Sequence, residues 1–345
     1  MNELNRSRLS AFELPRMVPM HANLYAACFQ LMKLLPARFM LDRAEDVGRL
    51  KPGGHIVETT SGTFGMALAM LAAVRGYRLS LVTASSLIDA DFARRLRDLG
   101  TMLTITDDPE GSGNQQLRLE RLAEIQKIFP GSFWPNQYDN PDNPLAYAAV
   151  AEHLIRTVGS IDCLVACVGS GGSISGTAHF LRVVSPETHV IAVDTHGSIL
   201  FGQPPAPRKL RGMGNSIVPR NLRHDLVDEV HWVGARIAVE AAFNLFRSHG
   251  LFVGPTSGAA FLVADWYARA NPEAKIVFLL PDEGHRYNAV YAALPCLEDQ
   301  RSSSCFETGG PILIDRIVAG SEADWFRFAW ARRSIEDVIA RPLRT

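Results

Sequence analysis

The chain has 345 residues, 47% of them hydrophobic and 21% charged, which suits one large or two ordinary domains with a substantial core. A formal net charge of -1 leaves no basic footprint for nucleic acid or a membrane surface, and no apolar run reaches spanning length. Five scattered cysteines (Cys28, Cys163, Cys167, Cys296 and Cys305) have neither zinc-knuckle nor CxxC spacing, so a metal site is not expected. They read as reduced thiols, and the opening MNELNRSRLS lacks the apolar core of a signal peptide, so the expected compartment is the cytoplasm.

Residues 1–24 read as an irregular lead-in or a short edge strand. The spacing of Phe39, Met40, Ala44 and Val47 predicts a helix over 36–48, with Lys33 at or just before its first turn. A turn at 51–54 leads to a strand over 55–58. An alanine-rich helix over 66–75 follows, ended by Gly76. Strand 79–83, helix 91–99 and strand 102–106 come next, then helix 115–128. The segment 130–144 (PGSFWPNQYDNPDNP) reads as a loop where the chain crosses between domains. Helix 145–158 and strand 164–168 follow. A helix over 174–182, a strand over 189–194 and a turn-rich loop over 202–214 come after them. The remaining expectations are a strand at 227–233, helix 235–249, strand 251–254, helix 259–270 and strand 275–280. This β-α alternation predicts doubly wound parallel sheets.

Four loops at strand C-termini carry hydroxyl, glycine or clustered polar residues: 59–65, 169–173, 254–258 and 281–287. In open α/β sheets ligands bind at that edge. The segment Gly169, Ser170, Gly171, Gly172, Ser173 between strand and helix is suited to cradling a phosphate on backbone N–H groups and a helix N-terminus, with Ser170, Ser173 and Ser175 as hydroxyl donors. Ile174 occupies the third-glycine slot of a dinucleotide fingerprint, and no P-loop lysine follows. The plain alternative is a glycine turn without a ligand.

Taken together, the loops resemble the cysteine synthase family of fold-type II pyridoxal-phosphate enzymes, with matches spread from about Lys33 to Tyr291. Gly169–Ser173 resembles the family's cofactor-phosphate loop. Thr60, Ser61, Gly62, Thr63, Phe64 and Gly65 resemble its substrate-carboxylate loop. Gln137 with Asn140-Pro141 and Asn143-Pro144, Gly212-Met213-Gly214, Thr256 in a Gly-Pro-Thr-Ser-Gly segment, and 281–287 resemble further family motifs. Phe64, 134–138 and 192–202 are similar to the branch that makes diaminopropionate precursors and uses O-phosphoserine. Thr63 departs from the family's asparagine.

The resemblance implies a tryptophan synthase β-like fold of two α/β domains with the active site between them. The smaller, substrate-binding domain would span 38–130. The larger, pyridoxal 5'-phosphate-binding domain would comprise 1–37 with 131–297, and 298–345 would form a C-terminal extension. An ungapped count back from 61–65 puts the Schiff-base lysine on Lys33. The alternative register, before Asp42-Arg43, puts Leu41 there and would make the chain a catalytically dead homologue acting as a binding protein. The cofactor would be held by Gly169, Ser170, Gly171, Gly172, Ser173, Thr63 and Thr256. The substrate would be held by Thr60, Ser61, Gly62, Phe64, Gln137, Gly212 and Gly214.

The implied reaction is β-replacement on O-acetyl- or O-phospho-L-serine through an aminoacrylate, cysteine synthase-like. The alternative is synthesis of an N-substituted 2,3-diaminopropionate precursor with an amine nucleophile. Arg208, Arg211 and Arg220 are candidates to receive a phosphate leaving group. The expected partners are an amino-acid substrate and, as in the family, a second copy of the chain. The stretch 325–339 is amphipathic and is expected to pack on the body or on a twin subunit.

Overall fold

The computed structural model describes residues 9–21, 23–60, 62–210, 212–292 and 310–340. After a short helical turn at Ser10–Phe12, the first two strands form an antiparallel hairpin, β1 (Arg16–His21) and β2 (Leu24–Cys28). The helix Leu34–Asp46 follows directly after Lys33. Three parallel strands then form a separate small sheet: β3 (His55–Thr59), β4 (Arg78–Ala84) and β5 (Met102–Thr106), paired in that order. The helices Thr63–Arg75, Ala90–Asp98 and Gln115–Ile128 connect and flank them. Alternation of strand and helix with short loops forces this parallel, right-handed winding.

The chain then enters the large sheet through β6 (Cys163–Cys167), β7 (His189–Asp194), β8 (Glu229–Val233) and β9 (Ile276–Leu280). The strand order is β1-β2-β9-β6-β7-β8, extended by two late strands, β11 (Trp325–Ala329) and β10 (Ile312–Leu313). Strands β2, β9, β6, β7 and β8 run parallel to one another, with antiparallel β1 and β11 at the two ends of this run. Every residue of β6 and β9 is buried, as expected of a parallel sheet covered on both faces. Among the described residues no helix is long and apolar enough to cross a membrane.

Several elements differ from the sequence expectation. Helices begin earlier than the apolar spacing suggests, at Thr63, Gly172 and Pro255. The glycine and hydroxyl residues of the loops already belong to the first turn, where side-chain periodicity carries no signal. The expected strand at 251–254 is a single bridge, Val253 to Glu283. The expected helix over 145–158 is split at Tyr147 into Asp142–Ala146 and Ala148–Val158.

The amphipathic stretch 325–339 is a strand followed by the helix Ile335–Ala340. Strand β11 pairs antiparallel with β8, and Trp330 and Phe328 are fully buried beside Trp232. The segment therefore completes the large sheet and covers the edge that β8 would otherwise expose. The linker 301–304, Cys296 and Cys305 lie outside the described residues.

Candidate active site

Lys33 is placed by the end of β2. The amide of Phe29 donates to Leu280 O and that of Met32 to Pro281 O, so the chain leaves β2 locked beside β9. Lys33 then caps the helix Leu34–Asp46, and its Nζ donates to Ser170 Oγ at 2.9 Å. Burial of the amine pushes its pKa down from 10.5 to about 8, which raises the neutral fraction to roughly a tenth at pH 7. Leu41, the alternative position for the lysine, is fully buried in the small sheet's apolar core with Leu34, Met40 and Phe64. It is not among the residues lining the cleft around Lys33.

That cleft lies between the two sheets. Of the residues singled out from sequence, Lys33, Thr63, Phe64, Gln137, Gly169, Ser170, Ser173, Gly212, Gly214 and Thr256 all line it. Thr60, Gly62, Gly171 and Gly172 do not; they shape its walls. Ser61 lies outside the described residues. The Thr60 hydroxyl accepts from the amides of Gly62 and Gly65, both at 3.0 Å, and so ties the start of the helix Thr63–Arg75 to the end of β3.

The turn after β6 is a cradle built by close approach. Gly171 has φ +79°, and a Cβ there would stand 2.6 Å from Leu222 Cα. A Cβ at Gly172 would stand 2.2 Å from Asn143 Oδ1, and one at Gly169 would stand 2.8 Å from Gly212 O. The helix Gly172–Val184 starts here, so its unpaired N–H groups open beside Ser170 and Ser173. Asn143 Oδ1 is buried without a partner. Small residues, hydroxyls and a helix N-terminus around one concavity fit a phosphate monoester, and Lys33 supplies the amine that an aldehyde cofactor requires. Thr256 sits in the first turn of the helix Pro255–Ala270, where Cys167 Sγ contacts Thr256 O at 3.1 Å.

On the small-sheet side, Gln137 Nε2 donates to Thr59 O at 3.3 Å. Glu58 is fully buried behind it and accepts from the amides of Thr59 (2.7 Å) and Gln137 (3.2 Å) and from Trp134 Nε1 (2.9 Å). Burial pushes its carboxyl up to about 7 against these donors.

The phosphate-receiving arginines divide. Arg208 lines the cleft and spans it, donating to Gly197 O at 3.3 Å and to Ser112 O at 3.4 Å. Arg220 is exposed on a different groove, and Arg211 lies outside the described residues. Sequence reasoning passed over Arg118. It is buried, lines the cleft beside Tyr138, donates from Nε to Gly113 O at 2.8 Å and bonds Gln115, while its Nη1 has no partner. The only available signal was spacing, since 115, 118 and 122 share the buried face of their helix. Asp282 also lines the cleft, with Oδ2 accepting from Tyr287 Oη at 2.8 Å and Oδ1 unpartnered.

A family model described as pyridoxal-phosphate dependent enzyme matches residues 32–282. The chain is 36% identical over 261 residues to N-(2-amino-2-carboxyethyl)-L-glutamate synthase of Ralstonia nicotianae, covering 74% of this chain and 77% of that one. It is 33% identical over 259 residues to the enzyme of the same name from Cupriavidus metallidurans, covering 73% and 76%. The crystal structure of O-acetyl serine sulfhydrylase isoform 3 from Entamoeba histolytica superposes with a TM-score of 0.76 at 26% identity. That match covers 83% of this chain and 91% of that one.

Proposed function

The chain belongs to the pyridoxal-phosphate dependent enzymes, on the fold-type II scaffold with pyridoxal 5'-phosphate as cofactor, and from that premise we propose that it replaces the phosphate of O-phospho-L-serine with an amine. L-Glutamate is the proposed nucleophile, and the product is then the N-(2-amino-2-carboxyethyl)-L-glutamate of the Ralstonia and Cupriavidus relatives' names. In net terms the Cβ–O bond of the donor breaks, inorganic phosphate leaves, and a Cβ–N bond forms with loss of one amine proton.

The observation that carries this reading is the pairing, in one cleft, of the Lys33 amine with a buried guanidinium that has an idle N–H, that of Arg118. A buried guanidinium nitrogen without a hydrogen-bond partner is costly, and a phosphate ester on the substrate offers Nη1 a charged acceptor. An acetyl ester carries no charge for it. The bound cofactor supplies the electron sink that makes the substrate's Cα proton labile.

The protein's own residues do the rest. Gly169–Ser173 and the start of the helix Gly172–Val184 hold the cofactor's phosphate. Lys33, poised near neutral pH, takes the Cα proton and returns it after the nucleophile has added. The amides of Thr63 and Phe64, at the start of the helix Thr63–Arg75, and the Gln137 side chain bind the substrate carboxylate. Arg118 and Arg208 receive the departing phosphate. Thr256 would offer the bound cofactor a hydroxyl rather than a carboxylate, a setting that would favour loss of a β-substituent over transamination.

The test is product analysis with purified holoprotein. O-Phospho-L-serine with L-glutamate is expected to release phosphate and form the C–N product. A protein that instead makes cysteine from O-acetyl-L-serine and sulfide, and ignores glutamate, contradicts the proposal.

A further inference from the structure

We infer that Glu58 is the positioning residue of the substrate-carboxylate subsite, holding segment 134–137 against β3 through a buried carboxylate nest. The inference rests on the proposed function in that it takes 60–65 and Gln137 as the subsite.

Phe133 first runs beside β3 as a short parallel extension: its amide donates to His55 O at 2.8 Å, and Val57 N donates to Phe133 O at 2.9 Å. The chain then turns away. Asn136 adopts φ +51°, the left-handed region that non-glycine residues rarely enter. Glu58 catches this turn. Its carboxylate accepts from the Trp134 indole and the Gln137 amide, with the Asn136 amide also bonded to it and Thr59 N closing the nest.

Every one of these donors is an N–H. A carboxylate satisfies them because it only accepts; an amide in its place turns an NH2 towards them. Gln137 is thereby fixed on both sides. Its N is held by Glu58, and its O accepts from Asn143 Nδ2 (2.5 Å) and Asn221 Nδ2 (3.0 Å). Asn143 Nδ2 also reaches Ser170 Oγ at 3.4 Å, and Ser170 Oγ receives Lys33 Nζ. Glu58 lines no part of the cleft, yet it anchors one end of a hydrogen-bonded chain that runs from β3 to the reactive amine. The side chain it positions, Gln137, is the one that faces the carboxylate.

The experiment compares Glu58→Gln with wild type as holoproteins, following the cofactor's visible absorbance during titration with two ligands. O-Phospho-L-serine carries the carboxylate, and O-phosphoethanolamine lacks it. A displacement of about 1 Å at a binding group can cost one to two orders of magnitude. Glu58→Gln is therefore expected to raise half-saturation for O-phospho-L-serine roughly tenfold or more and to leave that for O-phosphoethanolamine within about twofold. A general loosening of structure would move both equally, and that result, or no change in either, overturns the inference. Should Glu58→Gln fail to fold, Trp134→Phe removes one donor at the edge of the nest. A selective loss of roughly threefold for the carboxylated ligand is then expected, and an unchanged ratio overturns the inference. A wild-type protein whose spectrum responds to neither ligand refutes the proposed function and the inference together. A responsive wild type with unaltered discrimination in the variants refutes the role of Glu58 alone.

Discussion

Lys33 Nζ donates to Ser170 Oγ across 2.9 Å, joining residues 137 positions apart. The amine stands at the exit of β2 and the hydroxyl in the turn after β6. These two strands flank β9 in the large sheet, so sheet order alone brings them together. The contact places the reactive amine against the phosphate cradle before any ligand arrives.

Burying that amine has a pH signature. Its pKa falls from 10.5 to about 8 on folding, so between those values the unfolded chain binds more protons than the folded one. The destabilisation caused by Lys33 is thus complete below pH 8 and fades as pH rises towards 10.5. In urea unfolding of the apoprotein, the advantage of Lys33→Met over wild type should be largest below pH 8 and shrink above it. A gap independent of pH contradicts the burial.

Arg118 discriminates the leaving group in this account. Arg118→Lys keeps a charge but loses the fork and its idle Nη1. It should raise KM for O-phospho-L-serine roughly 10–100-fold and leave turnover of any accepted O-acetyl-L-serine nearly unchanged. Equal losses on both donors contradict the assignment.

The cradle tolerates no side chain at Gly171. Gly171→Ala combines left-handed strain of roughly 1–3 kcal/mol with a Cβ pressed against Leu222. We expect a lower Tm and a weakened cofactor affinity, read by fluorescence titration. Gly131→Ala is the control: it has a similar φ of +81°, but its Cβ meets nothing within 4 Å. It should lose some stability and no cofactor affinity.

The alternation of strands and helices was plain in the sequence, as were the loops that gather round the cleft. Strands such as Met102–Thr106 and His189–Asp194 and helices such as Gln115–Ile128 and Ala235–His249 fall where apolar runs and glycine caps put them. Arg118 was illegible because an arginine in a polar helix reads as solvent-facing, and only the fold shows what covers it. Glu58 is the fourth of five buried strand residues, but its side-chain partners come mostly from 134–137, far along the chain. Strand β11 was hidden because its closely spaced aromatics, Trp325, Phe326 and Phe328, fit an amphipathic helix as well as a strand, and only β8 decides between them.

The C-terminal strand is expected to be a structural part of the large sheet. Trp330 is fully buried against Phe201, His224 and Phe328. Trp330→Ala should cost about 3–5 kcal/mol in chemical denaturation, as for other large-to-small changes in a packed core. A loss below about 1 kcal/mol would show that this segment is dispensable to the fold.

The most direct measurement is borohydride reduction of the purified holoprotein, followed by peptide mapping. The account predicts a yellow protein whose absorbance collapses on reduction, with the cofactor fixed to Lys33 and to none of Lys51, Lys127, Lys209 or Lys275. A protein that stays colourless with added pyridoxal phosphate, or one labelled at another lysine, contradicts it.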